Sequence, residues 1–295
     1  MPLTGTVNKS VKIDLSKKND ITGKKFLIVG GTSGLGRAIA LNSASRGAIV
    51  KIVGRSFKDE GVNGISFEGA DLSLMKEAKR IGETVDDDFD VVVLTQGIIA
   101  GTKRAESEDG IELDMAVSYL SRLVILRSLI PRLKTKARIF IMGFPGSAPT
   151  SFRIDDLNAE KEYVGKFGFV HANTVVGNEA LVIHWAAADK EHSFFGLNPG
   201  LIKTGIRQGA YDTVGMKIMA PILEGMLGLL SPTPDSYGKV ITDLISVDGL
   251  EEHSGISFNP KGQAILSSPM FQEDAELAKR FMEKSEDLIR EKAGI

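Results

Sequence analysis

The chain has 295 residues and a formal net charge of −2, and 42% of its residues are hydrophobic and 25% charged. These values allow one large globular α/β domain with a buried core, and they argue against a nucleic-acid-binding protein. The chain contains no cysteine, which excludes disulfides, thiolate metal sites and a cysteine nucleophile, and its four histidines are not spaced as metal ligands.

Residues 1–20 form a polar, lysine-rich segment, which we predict to be an N-terminal tail before a single domain over 21–295. The segment lacks the apolar core of a signal peptide, and no run of about 18 apolar residues that would span a membrane occurs in the chain. A cytoplasmic protein is therefore expected. Within the tail, Val11–Leu15 alternates between apolar and polar residues, so it is either an edge strand or part of a loose segment.

The first clear pair of elements surrounds a glycine-rich turn. Phe26–Val29 is a short apolar run typical of a strand buried on both faces, and Arg37–Arg46 is a helical stretch that ends at Gly47. The turn between them leaves free backbone N–H groups at a helix N-terminus, where an anion is stabilised. Its glycines let a pyrophosphate approach the backbone. The residues predicted to bind the pyrophosphate are Gly30, Thr32, Ser33, Gly34, Leu35 and Gly36.

The spacing of three glycines, Gly30-x-x-x-Gly34-x-Gly36, resembles the T-G-x-x-x-G-x-G fingerprint of the short-chain dehydrogenase/reductase family, with Val29 in place of the threonine. The resemblance covers about residues 22–265. It implies a doubly wound parallel α/β sheet, or Rossmann fold, of about seven strands that binds a nicotinamide dinucleotide. A glycine turn that binds nothing is the alternative.

The second and third strands carry the predicted adenosine site. Ile49–Val53 is followed by a glycine and Arg55, where NAD-binding folds place an acidic residue against the ribose. The acid is absent here and Arg55 offers a cation to a 2′-phosphate, so NADP is the predicted cofactor; a surface arginine is the alternative. Ile65–Glu68 is the third strand. The resemblance implies that Asp71 and Leu72, which follow it, touch the adenine.

The fourth strand, Val91–Leu94, leads into the next implied cofactor contacts, Gln96 and Gly97. A long helix is predicted over Ile111–Leu133. In the family this helix carries an asparagine that supports a proton-relay water, in a pattern like A-V-N-Y-L. The chain has A-V-S-Y-L instead, which places Ser118 at that position with one hydroxyl in place of an amide.

The resemblance weakens at the positions that carry catalysis. After the fifth strand, Ala137–Met142, the position of the family's catalytic serine falls on Phe144. The tyrosine and lysine of the family's Y-x-x-x-K motif fall on His171 and Val175, and no Y-x-x-x-K occurs anywhere in the chain. Tyr163 with a lysine three residues later gives Y-x-x-K and is a further candidate catalytic residue, although it lies early for the motif; a surface loop or helix start is the alternative.

The last cofactor motif and a predicted lid follow the sixth strand. Asn198–Thr204 resembles the family's N-P-G-x-x-x-T. Residues 206–232 are rich in methionine and leucine and are predicted to form a helical substrate lid for a hydrophobic ligand; plain core, a dimer contact or a peripheral membrane helix are alternatives. The cofactor contacts implied by the motif are Pro199, Gly200, Ile202 and Thr204.

Three further elements are predicted towards the C-terminus. A helix covers Pro234–Ser246, with prolines at its entry, and Gly255–Phe258 is the last strand, as in the retinol-dehydrogenase-like branch of the family. An amphipathic helix covers about residues 272–292.

Three functions remain open from these observations. The first is an NADP-dependent oxidoreductase for a small, hydrophobic carbonyl or alcohol substrate, with His171 as proton donor assisted by Ser118 and Ser147. The second is a catalytically degenerate protein that binds a dinucleotide, a ligand or a partner. The third is a family-derived cyclase or isomerase. A small-molecule substrate is expected, no metal or nucleic acid is expected, and a homodimer is compatible with the sequence.

Overall fold

The computed structural model describes residues 4–86, 88–99, 101–147, 149, 151–165, 168–202 and 232–295. Thr204 and nearly all of the predicted lid at 206–232 lie outside these ranges. Within them, no helix is both long and apolar enough to cross a membrane.

In the described part of the chain, eight strands form one central sheet: β1 Lys25–Val29, β2 Ile49–Gly54, β3 Ile65–Gly69, β4 Val91–Leu94, β5 Arg138–Met142, β6 Ser193–Leu197, β7 Ser257–Phe258 and β8 Ala264–Ile265. Their order is β3-β2-β1-β4-β5-β6-β7-β8. All neighbouring strands are parallel except β7 and β8, which pair antiparallel. The predicted doubly wound α/β fold is therefore confirmed.

Helices cover both faces of the sheet: α1 Gly34–Ser45, α2 Met75–Thr84, α3 Leu113–Met115, α4 Ser121–Leu129, α5 Phe169–Ala188, α6 Pro234–Ile245, α7 Pro269–Glu273 and α8 Leu277–Ala293. A π-helical turn, Ala116–Leu120, joins α3 to α4. One hydrophobic core contains side chains of α1 and α6, and the other contains side chains of α2, α4, α5 and α8. The sheet thus separates two cores, as in other doubly wound folds.

The apolar runs in the sequence become strands because both of their faces are buried. On β1, Leu27 and Val29 point into one core, whereas Phe26 and Ile28 point into the other, and all four are fully buried. Side chains of a strand alternate between faces, so a continuous apolar run suits a sheet covered on both sides.

The strand register brings the functional segments to one edge of the sheet. Val29 pairs with both Val53 and Leu94, and Leu94 pairs with Ile141. Parallel strands in this register end together. The segments that follow β1, β2, β4 and β5 therefore meet at the carboxyl edge, where ligands bind in open α/β sheets.

The structure corrects the predicted elements at the two ends of the chain. In the described part of the chain the seven expected parallel strands are β1–β7, and an antiparallel β8 of two residues, which carries no sequence pattern of its own, adds an eighth. Val11–Leu15 forms no edge strand; the N-terminal segment is joined to the domain by antiparallel bridges of Val7 with Ile265 and of Lys18 with Val247. The N-terminal segment is therefore not an edge strand over Val11–Leu15, and two of its residues are joined to the domain, unlike those of a loose segment.

Two predicted helices are also divided. The helix expected over Ile111–Leu133 starts at Leu113, contains the π-helical turn and tightens into a 3₁₀ turn over Ile130–Arg132. The helix expected over about 272–292 is two helices, α7 and α8. Asp274 separates them in an extended conformation, a break that a single amphipathic period does not reveal.

Replacement of Gly36 by alanine is expected to destabilise the fold, because its Cβ would lie 2.3 Å from Thr95 Oγ1 and 2.5 Å from the Gly30 carbonyl oxygen. Overpacking of this kind costs about 1–3 kcal/mol of unfolding free energy, which chemical denaturation measures. Gly69→Ala is the matched control, because the nearest atom to its new Cβ is Phe67 Cε1 at 3.8 Å. Equal stability of the two variants would contradict the close packing of the glycine turn.

Candidate functional site

A cavity of about 800 Å³, which we call the first cavity, opens at the carboxyl edge of the sheet between the ends of β1, β2 and β4. The predicted dinucleotide contacts that lie between β1 and α2, or directly after β4, all line it. These residues are Gly30, Thr32, Ser33, Gly34, Leu35, Gly36, Arg55, Asp71, Leu72, Gln96 and Gly97. The strand register brings them together although they are separated by up to 67 positions in the sequence.

The N-terminus of α1 faces this cavity without a side-chain cap. Ser33 is the N-cap residue but makes no capping hydrogen bond, and the first turn contains no acidic residue. By contrast, the Thr233 hydroxyl caps α6 by accepting from the Ser236 amide at 3.1 Å. The first backbone N–H groups of α1 can therefore bind an anion, which the helix dipole also favours.

The two arginines near the glycine turn differ in their partners. Arg37 makes a bidentate ion pair with Asp59, in which Nε lies 2.8 Å from Oδ2. Arg55 is exposed at the edge of the first cavity and makes no hydrogen bond or ion pair with any described residue. Gly54 precedes it, and a Cβ there would lie 2.7 Å from Thr32 Cγ2. The end of β2 therefore presents an available guanidinium and no carboxylate.

Asp71 and Gln96 are partly engaged within the protein. Asp71 accepts hydrogen bonds from the Ser73 amide at 3.0 Å and the Ser73 hydroxyl at 2.8 Å, so it also stabilises the turn before α2. Gln96 donates to Ser121 Oγ at 3.3 Å, but its buried Oε1 accepts no hydrogen bond from any residue that the structure describes. Because a buried acceptor usually has a partner, this oxygen is suited to a donor on a bound ligand.

A second cavity of about 340 Å³ adjoins the first and shares Leu35, Gly97 and Met142 with it. It lies between the ends of β4, β5 and β6 and the first turns of α5. Besides the shared Leu35 and Gly97, the sequence-predicted site residues that line it are Ser118, Ser147, His171, Pro199, Gly200 and Ile202.

A buried, hydrogen-bonded group links the two cavities. Asp114 on α3 is fully buried; its Oδ2 lies 3.0 Å from His171 Nδ1, and its Oδ1 accepts from the Ser118 hydroxyl at 2.6 Å. The Ile98 amide donates to the same serine oxygen at 2.9 Å. Asp114 lines the first cavity, whereas His171 and Ser118 line the second. The structure thus brings His171 and Ser118 together through an aspartate that the sequence analysis missed.

The π-helical turn positions Ser118. A π turn widens the helix and frees backbone groups, and such turns are frequent at functional sites. The Ser118 carbonyl accepts from Asn178 Nδ2 at 2.9 Å, which ties the turn to α5. His171 lies two turns before Asn178 on the same helix. The contact of Asn178 with the π-helical turn therefore also fixes the position of Ser118 relative to His171.

Negative charge around His171 shifts its titration. Burial alone lowers the pKa of His171, but the hydrogen bond and charge of Asp114 and the charge of Glu112 more than offset this, and the pKa is raised above its usual range. Burial and the charge of Asp114 also raise the pKa of Glu112 to about 7. Glu112 accepts from the Met115 amide at 2.8 Å and so caps α3.

Arg122 on α4 forms the floor of the second cavity. Its guanidinium donates to the carbonyl oxygens of Gln96 and Met142, and to Asn178 Oδ1 at 2.8 Å. The side chain is buried, and this burial lowers its pKa to about 9. The ends of β4 and β5 and the middle of α5 are therefore tied to one buried cation.

The remaining catalytic positions of the family carry other side chains here. Phe144 and Val175 line the second cavity, where the resemblance implies serine and lysine. Tyr163 precedes α5 rather than lying on it, lines the first cavity and donates to the Gly101 carbonyl at 3.1 Å. Lys166 lies outside the described residues.

Asp114 and Arg122 are the residues that sequence reasoning missed. Each lies four positions from Ser118, so helical spacing alone would have placed all three on one face of the predicted helix. The available signal was an acidic residue and an arginine on the same predicted helix face as Ser118. Helical pattern analysis follows apolar residues and therefore passed over them.

Known proteins are similar to this chain over most of its length. No family model matches the sequence. An uncharacterized oxidoreductase of Saccharomyces cerevisiae is 40% identical over 286 residues, which cover 92% of this chain and 90% of that protein. Retinol dehydrogenase 13 of Mus musculus is 24% identical over 92% of this chain and 85% of its own length.

A solved structure shows the same fold. It is described as a short-chain dehydrogenase from Shigella flexneri complexed with NADP, and it covers 83% of this chain and 100% of its own with a TM-score of 0.59 at 15% identity. The glycine turn, the sheet order and the extent of the 40% identity lead to one conclusion. The chain belongs to the short-chain dehydrogenase/reductase family of oxidoreductases.

Proposed function

We propose that the chain is an NADP-dependent oxidoreductase that interconverts a small, hydrophobic carbonyl compound and the corresponding alcohol. The observation that carries the proposal is the Asp114–His171 pair, which lies between the first cavity and the second. Membership of an oxidoreductase family supports the reaction class.

The residues of the first cavity fit a nicotinamide dinucleotide that bears a 2′-phosphate. The uncapped N-terminus of α1 suits the pyrophosphate, and the buried Gln96 Oε1 suits a hydrogen-bond donor on the ligand. Arg55 provides a guanidinium for the 2′-phosphate, and Gly54 offers no carboxylate that would repel it. The NADP held by the related structure from Shigella flexneri is consistent with this choice.

His171 is the proposed proton donor. A bound nicotinamide supplies or accepts the hydride, and the protein supplies the proton and the orientation. In the reductive direction the imidazolium of His171 gives its proton to the substrate oxygen as that oxygen gains negative charge; in the oxidative direction the neutral imidazole accepts the hydroxyl proton. Imidazole is suited to both roles because it titrates near neutral pH. Ser118 assists by holding the Asp114 carboxylate.

The second cavity favours a small, apolar substrate. Phe144, Val175, Leu201 and Ile202 contribute carbon surface to its lining, and its volume of about 340 Å³ is at the lower end for a small-molecule pocket. An apolar wall also excludes water, which strengthens the electrostatic interactions of His171 with its partners.

Binding without redox turnover is the second candidate function. It is favoured by Phe144 and Val175, because carbon side chains there can neither polarise a carbonyl nor hold a ribose hydroxyl. Calorimetric binding of NADPH combined with no NADPH oxidation across a panel of ketones and aldehydes would favour this function over the oxidoreductase.

Replacement of Arg55 by alanine is expected to weaken NADPH binding by roughly 10- to 100-fold, the scale of a charge-assisted hydrogen bond, and to leave NADH binding nearly unchanged. Isothermal titration calorimetry measures both. Lys58→Ala removes an exposed cation that does not line either cavity, and it is the matched control. An equal loss for both nucleotides would overturn the assignment of Arg55 to the 2′-phosphate.

Replacement of His171 by phenylalanine is expected to lower carbonyl reduction by about 10²–10⁴-fold, the usual contribution of a general acid, without weakening NADPH binding. Steady-state kinetics and calorimetry measure the two effects. His184→Phe is the control on the same helix, because His184 lines neither cavity. Retained activity in His171→Phe together with an inactive Tyr163→Phe would transfer the acid role to Tyr163.

A further inference from the structure

We infer that Asp114 is a positioning residue that orients His171 for proton transfer in the second cavity. The inference rests on the proposed function, in which His171 is the proton donor. Asp114 belongs to none of the motifs identified in the sequence, and its assignment depends on contacts between α3, the π-helical turn and α5.

The Asp114 carboxylate is held at both of its oxygens. Oδ1 accepts from Ser118 at 2.6 Å, and Oδ2 faces His171 Nδ1 at 3.0 Å. The Ile98 amide, at 2.9 Å from Ser118 Oγ, in turn fixes the hydroxyl that reaches Asp114. A fully buried carboxylate with two oriented partners cannot rotate freely, so it fixes the plane of the imidazole ring as well.

The hydrogen bond also selects the tautomer of His171. A carboxylate can only accept, so the ring nitrogen that faces Asp114 must carry hydrogen. Nε2 is then the atom that exchanges a proton with the substrate. In reduction the Nε2–H bond breaks and an O–H bond forms on the substrate, whereas the Nδ1–H bond to Asp114 remains in both protonation states. Proton transfer therefore requires no rearrangement of the ring, and water restores the Nε2 proton.

The surrounding charges favour the protonated ring. Among the described residues that line the two cavities, the charged or titratable groups on the segments beside the pair include Glu112 before α3, Arg122 on α4, Lys103 and Tyr163. Burial disfavours the imidazolium, but Asp114 and then Glu112 reverse this and raise the pKa of His171. A raised pKa keeps the proton donor charged to higher pH, and reduction should slow as the pH rises through that pKa.

The first experiment measures the tautomer of His171 in the wild-type protein. We expect ¹⁵N-edited NMR of the wild-type protein above the His171 titration to show the Nδ1–H tautomer, with the signal assigned by its loss in His171→Gln. The Nε2–H tautomer would overturn the inference. This result does not depend on turnover, so the absence of carbonyl reduction would remove the proposed function without deciding the role of Asp114.

The second experiment tests Asp114 directly. Asp114→Asn keeps the shape of the side chain and removes its charge, so the NMR titration midpoint of His171 and the falling limb of the kcat profile should both move to lower pH. At neutral pH kcat should fall by about 10²-fold or more, within the range of general acid catalysis, while the KM for NADPH is unchanged.

An exposed aspartate provides the control. Asp155→Asn makes the same chemical change where the side chain lines neither cavity, and it should leave the His171 titration and kcat at wild-type values. If Asp114→Asn and Asp155→Asn had the same His171 titration midpoint and the same kcat, the positioning role of Asp114 would be overturned. A fall in thermal stability alone, without a shift in the His171 titration, would likewise assign Asp114 a purely structural role.

Discussion

The close packing of the glycine turn against the end of β4 is the constraint on which the site depends. A Cβ at Gly30 would lie 2.4 Å from the backbone nitrogen of Gln96, and one at Gly36 would lie 2.3 Å from Thr95 Oγ1. Only hydrogen in place of a side chain permits this approach. It brings the N-terminus of α1 to the carboxyl edge of the sheet. The backbone N–H groups that can bind an anion therefore lie beside the segment after β4, which borders both cavities.

A buried cation completes the frame of the second cavity. Arg122 binds carbonyl oxygens from the ends of β4 and β5 and the side chain of Asn178 on α5. Loss of a buried arginine would leave these acceptors unsatisfied in a region of low polarity, which costs more than the net energy of the hydrogen bonds themselves. Asn178 also holds the π-helical turn, so the same contacts that close the cavity fix Ser118 and its partner Asp114.

The order of elements, the cofactor motif and the family could be predicted from the sequence. Apolar strands such as Val91–Leu94, and the spacing from Gly30 to Gly36, are local patterns whose physical meaning does not depend on distant residues. Features without such a pattern were missed. These are the two-residue strand β8 and the break at Asp274 that divides the C-terminal helix into α7 and α8. His171 was placed by its distance from the flanking motifs, which left its surroundings undetermined.

The sequence by itself determined the fold class and the dinucleotide-binding edge, because hydrophobic period, glycine spacing and the succession of strands and helices are local features of the chain. Only the tertiary structure decided what His171 can do. Its partner Asp114 lies 57 positions earlier, and the two meet because α3 and α5 pack at the same end of the sheet. A hydrogen bond of this kind depends on the distance and burial of two side chains, and neither quantity is a property of a sequence pattern.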